Sequence, residues 1–210
     1  MPETVILDAM INRDDFAVTG PPITSAEPIR TLSVETLGAS GMLVPLLRKP
    51  DFQRETNHWS PKQVLSFLES FLENELIPSV ILWQSESYVF VIDGGHRLSA
   101  LRAWIEDDYG DGAISRRYFS NDISAAQKRS AEKIRRLIDE KIGKYAIVKD
   151  ALIHPENYDS QRVQRARNMA TRSLSLQWVN GDAEKAETSF FKINTQGTPL
   201  AQSIRHSHSS

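Results

Sequence analysis

The spacing of apolar and polar positions divides the chain into short elements whose period changes from segment to segment. Residues 1–30 show no sustained period and carry Gly20-Pro21-Pro22 and Glu27-Pro28, so a loosely ordered N-terminal segment is expected there. Between Thr31 and Leu47 the apolar positions read as short strands, first Leu32, Val34 and Leu37, then Met42-Leu43-Val44. Ser60, Pro61 and Gln63 make a helix start: a cap, a proline at the first helical position, and a glutamine that completes a capping box. Val64, Leu65, Phe67, Leu68, Phe71 and Leu72 then recur at helical spacing, and Ile77-Pro78 ends the helix. Two strand-like runs follow, 79–83 and 88–92, with a polar linker that suits a hairpin. The second run is apolar throughout, as expected of a strand buried on both faces.

After Asp93-Gly94-Gly95 the period turns helical, with Leu98, Leu101, Trp104 and Ile105 inward. Asp107, Asp108 and Asp111 lie in a turn cluster that lacks calcium-loop spacing and reads as solvated. A basic amphipathic helix is expected over 124–142, with Ser124 and Gln127 as a second capping box. A short strand is expected at 145–148, a polar basic stretch at 161–171, a strand at 174–179 and a helix over 183–193. Trp83, Trp104 and Trp178 read as core, and Trp59 as a staple for the helix that follows it. Residues 201–210, with His206 and His208, carry no core signal and are expected to be a disordered tail.

Composition narrows the class. At 40% hydrophobic and 25% charged, the chain reads as a globular protein, and it has no run near the ~18 apolar residues of a membrane span. Glu3 and Asp8 stand where a secretory leader would be basic, so a cytoplasmic location is expected. Cysteine is absent, which excludes disulfides, thiolate metal sites and cysteine nucleophiles. The net charge of -2 hides an asymmetry: residues 1–110 hold 8 Lys+Arg against 16 Asp+Glu, and residues 111–210 hold 17 against 11. The basic half offers Lys128, Arg129, Lys133, Arg135, Arg136, Lys141, Arg162, Arg165, Arg167 and Arg172 as solvated helix faces or as DNA-phosphate contacts. Arg135, Arg136 and Arg165 are the DNA-binding candidates. Aromatic residues are not interleaved with these charges, so a single-strand stacking platform is not indicated.

The segment Tyr88–Leu98 carries the most chemistry. A buried strand runs into Gly94 and Gly95, and a helix begins at once. Glycine allows a sharp turn and close approach of a ligand, and the open first turn of a helix attracts phosphate or carboxylate. Arg97 adds a bidentate donor, and His96 adds a donor when protonated or a general base when neutral. Asp93 would cap the helix, orient Arg97 or His96, or hold a divalent ion against phosphate. An ordinary strand–helix turn with a solvated Arg97 is the competing reading. Neither a Walker loop nor a dinucleotide Gly-x-Gly-x-x-Gly is present.

Two further segments join this one: Val44-Pro45 with Pro50-Asp51-Phe52-Gln53-Arg54, and Phe190-Phe191-Lys192-Ile193-Asn194 with Gly197 and Leu200. Over roughly residues 40–200 the sequence resembles the N-terminal domain family of GmrSD-type modification-dependent restriction systems, a ParB/sulfiredoxin-like branch. In that family a Gln-Arg, an Asp-Gly-Gln-Gln/His-Arg and a Phe-x-x-x-Asn-x-x-Gly-x-x-Leu recur. Gln53 and Arg54 match the first, Asp93, Gly94, His96 and Arg97 the second, and Phe190, Asn194, Gly197 and Leu200 the third. Gly95 departs from the family's glutamine, which bears on hydrolysis more than on binding. Sulfiredoxin chemistry needs a cysteine and is set aside.

The resemblance implies an α+β domain, a small mixed sheet with packed helices, over residues 31–200, with a helical insertion at about 110–170. It implies a nucleotide-binding sensor module of an anti-phage DNA restriction system, with NTP hydrolysis left open. Asp93, His96 and Arg97 would be its catalytic residues. Gln53, Arg54, Gly94, Gly95, Arg97 and Asn194 would bind the nucleoside triphosphate, and Asp93 would hold magnesium. DNA would be engaged directly or through a nuclease partner, with no membrane involved and a homo-oligomer left open. Relatives commonly continue into a His-Asn-His nuclease domain, which this sequence lacks; it is expected to be a standalone module, a fragment or half of a split system. The rival functions are a non-catalytic DNA-binding regulator and a ParB-like nuclease.

Overall fold

The computed structural model describes residues 4–16, 28–38, 40–51 and 59–196, excluding the side chains of 194–196. The fold is α+β, built on one six-stranded mixed sheet. Its strands are β1 (Arg13–Asp14), β2 (Thr31–Ser33), β3 (Leu47–Pro50), β4 (Val80–Gln84), β5 (Val89–Asp93) and β6 (Ser173–Val179), in the order β1-β3-β5-β4-β6-β2. The pairs β1·β3, β3·β5 and β4·β6 are parallel; β4·β5 and β2·β6 are antiparallel. The helices are α1 (Val34–Leu37), α2 (Pro61–Leu72), α3 (Gly95–Glu106), α4 (Ala113–Tyr118), α5 (Ala125–Lys141), α6 (Tyr145–Ile153), α7 (Ser160–Thr171) and α8 (Ala183–Gln196).

The period-2 pleat sends alternate strand residues to two cores. Leu47, Val80, Leu82, Val89, Val91, Leu174 and Leu176 face the larger core, where Leu68 and Phe71 of α2, Leu101 and Trp104 of α3, and Ile134 and Ile138 of α5 fill the other side. Trp83, Phe90 and Ile92 face a smaller core closed by Phe16 and by Ala186 of α8. Strand β5 is therefore buried on both faces, and it pairs with β4 as the expected hairpin, in which Ser85 N–H donates to the Tyr88 carbonyl at 2.9 Å.

The two expected capping boxes have different outcomes. At α2 the box is complete: Ser60 Oγ accepts from Gln63 N–H, and Gln63 Oε1 accepts from Ser60 N–H at 2.9 Å. At α5 it is half made. Ser124 Oγ accepts from Gln127 N–H at 3.1 Å, but the Gln127 side chain is buried and donates to the Gly110 carbonyl at 2.6 Å.

Several expectations need correction. Residues 4–16 are not loose: Val5, Leu7, Met10 and Ile11 lie in the larger core, Phe16 in the smaller, and β1 extends the sheet. Their apolar side chains fill gaps between distant elements, so they show no period of their own. Val34 to Leu37 is a helical turn, with both end residues buried, and Met42 projects into solvent. The strand expected at 145–148 is the first turn of α6, whose Val148 and Ala151 are buried three residues apart, at helical spacing. The basic stretch 161–171 lies within α7.

The largest departure is the acidic turn. Asp108 is buried and accepts four hydrogen bonds: from the backbone of Gly110 (3.1 Å), Gly112 (2.9 Å) and Ser115 (2.9 Å), and from Ser115 Oγ (2.6 Å). Burial alone would raise its pKa. The bonds from Ser115, Gly112 and Gly110 outweigh that and hold the carboxyl below its usual value. The turn is a folding node connecting α3, α4 and α5.

Candidate functional site

Parallel pairing of β3 and β5 brings their carboxyl ends to the same edge of the sheet, the position at which open α/β sheets bind ligands. There β5 ends at Asp93 and α3 begins at Gly95, with Gly94 between them at φ 92°. The turn requires glycine for a second reason. A Cβ at residue 94 would stand 2.9 Å from Arg97 Nη2 and 2.9 Å from Val80 Cγ2. The Gly94 carbonyl accepts the first helical bond, from Leu98 N–H at 3.0 Å. Since the N-cap is glycine, no N-cap side chain covers the first turn of α3.

Asp93 does not cap that turn. Its Oδ2 accepts from Arg97 Nη2 at 2.7 Å, one helical turn away, and the same Nη2 donates to the Ser79 carbonyl at 3.2 Å. One nitrogen of the guanidinium is thus held by two acceptors, and the Arg97 side chain is 15% exposed. Its Nε is buried without a hydrogen-bond partner among the described residues. A partly exposed ion pair adds little stability, but it fixes the orientation of the guanidinium plane. His96 lies flat on Trp59, with ring centroids 5.6 Å apart and planes 14° apart, and Trp59 meets the edge of Phe67 in α2 at 5.6 Å. The Trp59 ring thereby joins the core face of α2 to the first turn of α3.

Of the expected nucleotide ligands, Gly94, Gly95 and Arg97 are together in this turn, with His96 and Asp93 beside them. Gln53 and Arg54 lie outside the described residues. The described residues that flank that gap are Asp51, whose Oδ1 accepts from Phe16 N–H at 3.3 Å, and Trp59 on His96. Asn194 belongs to the last turn of α8, and its side chain lies outside the described residues. Phe190 packs against the smaller core.

A magnesium ion held by protein ligands alone does not fit. No group of three His, Cys, Asp or Glu able to hold a metal exists among the described residues, and Asp93 is engaged with Arg97. Magnesium commonly binds through one or two carboxylates plus substrate phosphates, and Asp93 is compatible with that role only.

The DNA-binding candidates separate clearly. Arg135 forms a fork on Asp111 (2.7 and 3.0 Å) and also donates to Asp107 at 2.9 Å. Hydrogen bonding to Asp111, and then to Asp107, raises its pKa against the opposing effect of burial. Arg165 is 12% exposed and donates to Glu73 at 2.7 Å and to the Lys141 carbonyl at 2.7 Å. Both charges are committed within the molecule. Arg136 is 69% exposed, with Glu132 at 3.3 Å.

Sequence reasoning did not find two features, one at the site and one on the β1 side of the sheet. One is the Ser79 carbonyl, which no side-chain pattern announces. The other is Lys49 on β3, a lysine that points inward. Its Nζ is 3.9 Å from Asp8, a carboxylate that Arg13 already holds at 3.0 Å. Burial, opposed by Asp8 and reinforced by Arg13, lowers the Lys49 pKa to about 8.

A family model described as the GmrSD restriction endonuclease, N-terminal domain, matches residues 36–203. No curated protein and no solved structure matches the chain. No helix among the described residues is long and apolar enough to cross a membrane.

Proposed function

Because the chain belongs to the GmrSD restriction endonuclease N-terminal domain family, and is thereby a restriction-system module, we propose that its β5–α3 turn seats the phosphates of a nucleoside triphosphate. The observation that carries this reading is the turn itself: an open helix start behind a left-handed glycine, with an oriented guanidinium beside it. Backbone N–H groups of Gly95 and His96 and the guanidinium of Arg97 would meet phosphate oxygens. Asp93 would orient Arg97 and share a magnesium ion brought by the phosphates. Gln53, Arg54 and Asn194 would close the pocket.

Hydrolysis, where it occurs, would rest on charge stabilisation by Arg97 and the helix start. Gly95 brings no side chain to orient a water, so turnover would be slow and the bound state long-lived. Such a module would report nucleotide occupancy to a DNA-cleaving partner.

Titrating labelled ATP, GTP and CTP against wild type and Arg97→Ala, with and without magnesium, tests the reading. Binding by wild type that falls at least about tenfold in the variant is expected, as for loss of a charge-assisted hydrogen bond. Equal binding by both proteins, or none by either, refutes it. DNA binding without nucleotide, with a salt slope reduced by Arg136→Glu, would favour the DNA-binding regulator.

A further inference from the structure

One side of α7, carrying Arg165 and Asn168, and its C-cap residue Arg172 face the loop that leads to the site, whereas Arg167 is exposed. Three of its side chains, or those just past its end, reach the chain where α2 gives way to β4. Arg165 Nε donates to Glu73 Oε1 at 2.7 Å, and Asn168 Nδ2 to the Leu72 carbonyl at 2.7 Å. Arg172 makes a double contact: Nη1 donates to Asn74 Oδ1 at 2.8 Å, and Nη2 to the Glu75 carbonyl. The Arg172 guanidinium also lies 5.5 Å from the centre of the Phe71 ring.

From its own side the segment is tied back to α2, where Glu75 N–H donates to the Ser70 carbonyl at 2.9 Å and Ser70 Oγ donates to Glu75 Oε2 at 2.6 Å, and Ile77 packs against the larger core; between these ties it is open. Asn74 is in the left-handed region at φ 61°, and Leu76 is 99% exposed. A cavity of about 390 Å³ separates the loop from the start of β6, and Arg172 forms part of its wall. Four residues past Glu75 is Ser79, whose carbonyl accepts from Arg97 Nη2 at 3.2 Å. The path from α7 to the site is therefore continuous: Arg172, the 74–79 loop, the Ser79 carbonyl, Arg97.

We propose that Arg172 is a positioning residue for Arg97: it fixes the α2–β4 loop and so sets where the Ser79 carbonyl holds the guanidinium. This rests on the reading of the β5–α3 turn as a phosphate seat. It assigns α7, expected to face DNA or solvent, to the preparation of that seat. With Arg172 in place, Arg97 is gripped by both Ser79 and Asp93. Without it, the loop can relax into the space beneath it and leave Asp93 as the only grip. Contacts along such a route typically change affinity at a site by a few-fold to about thirtyfold.

The test is a double-mutant cycle on nucleotide binding with Arg97→Ala, Arg172→Ala and the pair, read together with amide hydrogen exchange. Asn74→Gly is the second probe, because glycine accepts the left-handed backbone and the substitution removes the side chain whose Oδ1 accepts from Arg172. Arg172→Ala is expected to weaken binding about three- to tenfold in the Arg97 background and to change it less than twofold in the Arg97→Ala background. Asn74→Gly should act in the same direction, and Arg172→Ala should speed exchange at residues 79–81 and 94–98. A loss of the same size in both backgrounds, or no loss with unchanged exchange, overturns the proposal. If wild type binds no nucleotide, the phosphate reading fails separately and the exchange arm alone decides. Faster exchange at 94–98 in both Arg172→Ala and Asn74→Gly supports positioning, and unchanged exchange there overturns it.

Discussion

Replacing Gly94 by alanine tests how the site is built. The backbone at Gly94 has φ 92°, and an L-residue in left-handed geometry is disfavoured by about 1–2 kcal/mol. The added Cβ would also stand 2.9 Å from Val80 Cγ2 and 2.9 Å from Arg97 Nη2. Val80 is fully buried and cannot retreat, so overpacking adds about 1–2 kcal/mol. Arg97 can move its tip, but only by giving up Asp93 or Ser79. The expected loss is about 2–4 kcal/mol by urea denaturation, or roughly 5–15 °C in Tm for a domain of this size. Nucleotide affinity should fall with it, because the displaced group is the phosphate-binding guanidinium. Gly95→Ala is the internal control. It is the first residue of α3 and has no positive φ, so alanine there should be neutral or should stabilise by up to about 1 kcal/mol. If Gly94→Ala matches wild type within about 0.5 kcal/mol, or if the control is the more damaging change, the account of the turn is wrong.

Two further predictions concern buried charge. Asp108→Ala removes the acceptor for three backbone N–H groups and the Ser115 hydroxyl, and should destabilise by about 3–5 kcal/mol. Since the folded carboxyl titrates below its usual value, the contribution of Asp108 is complete above the unfolded value near pH 4 and is lost as pH falls through the folded one. The gap between wild type and Asp108→Asn in acid unfolding monitored by circular dichroism should therefore close only below about pH 4. Lys49 has the opposite sense. Its folded pKa of about 8 lies below the usual 10.5, so the unfolded chain binds more protons between those values and stability rises with pH there. Below pH 8 the buried ammonium costs roughly 3 kcal/mol, so Lys49→Met should remove most of that rise, seen as a flatter stability profile from pH 8 to 10.5 in urea unfolding.

The elements that could be read from the sequence are those whose signals are local. The α2 capping box, the β4–β5 hairpin and the glycine-rich start of α3 each depend on residues within a few positions of one another, and each is present. What could not be read was set by distant partners. Tyr145, Ile147 and Val148 are aromatic or β-branched, so strand propensity pointed the wrong way; packing of Val148 and Ala151 into the larger core makes the segment helix. Asp108 looks like a surface charge until the chain folds back to bring it Ser115. The Gln127 side chain leaves its expected cap because the Gly110 carbonyl, 17 positions earlier, needs a donor. At the site, the residue types of the turn were legible, whereas the Ser79 carbonyl, the Trp59 face against His96 and the α7 contacts exist only through tertiary packing.

The family match begins at residue 36, yet both outermost strands of the sheet, β1 and β2, lie before that point. Trimming the protein to the matched span would uncover the flanks of β3 and β6 together and strip Val5, Met10 and Ile11 from the interior. Two bare ribbon margins on one molecule invite end-on stacking of copies into insoluble chains. The unit of evolutionary likeness is thus smaller than the folded sheet, and β1 and β2 serve as the selvedge that closes the margins of β3 and β6.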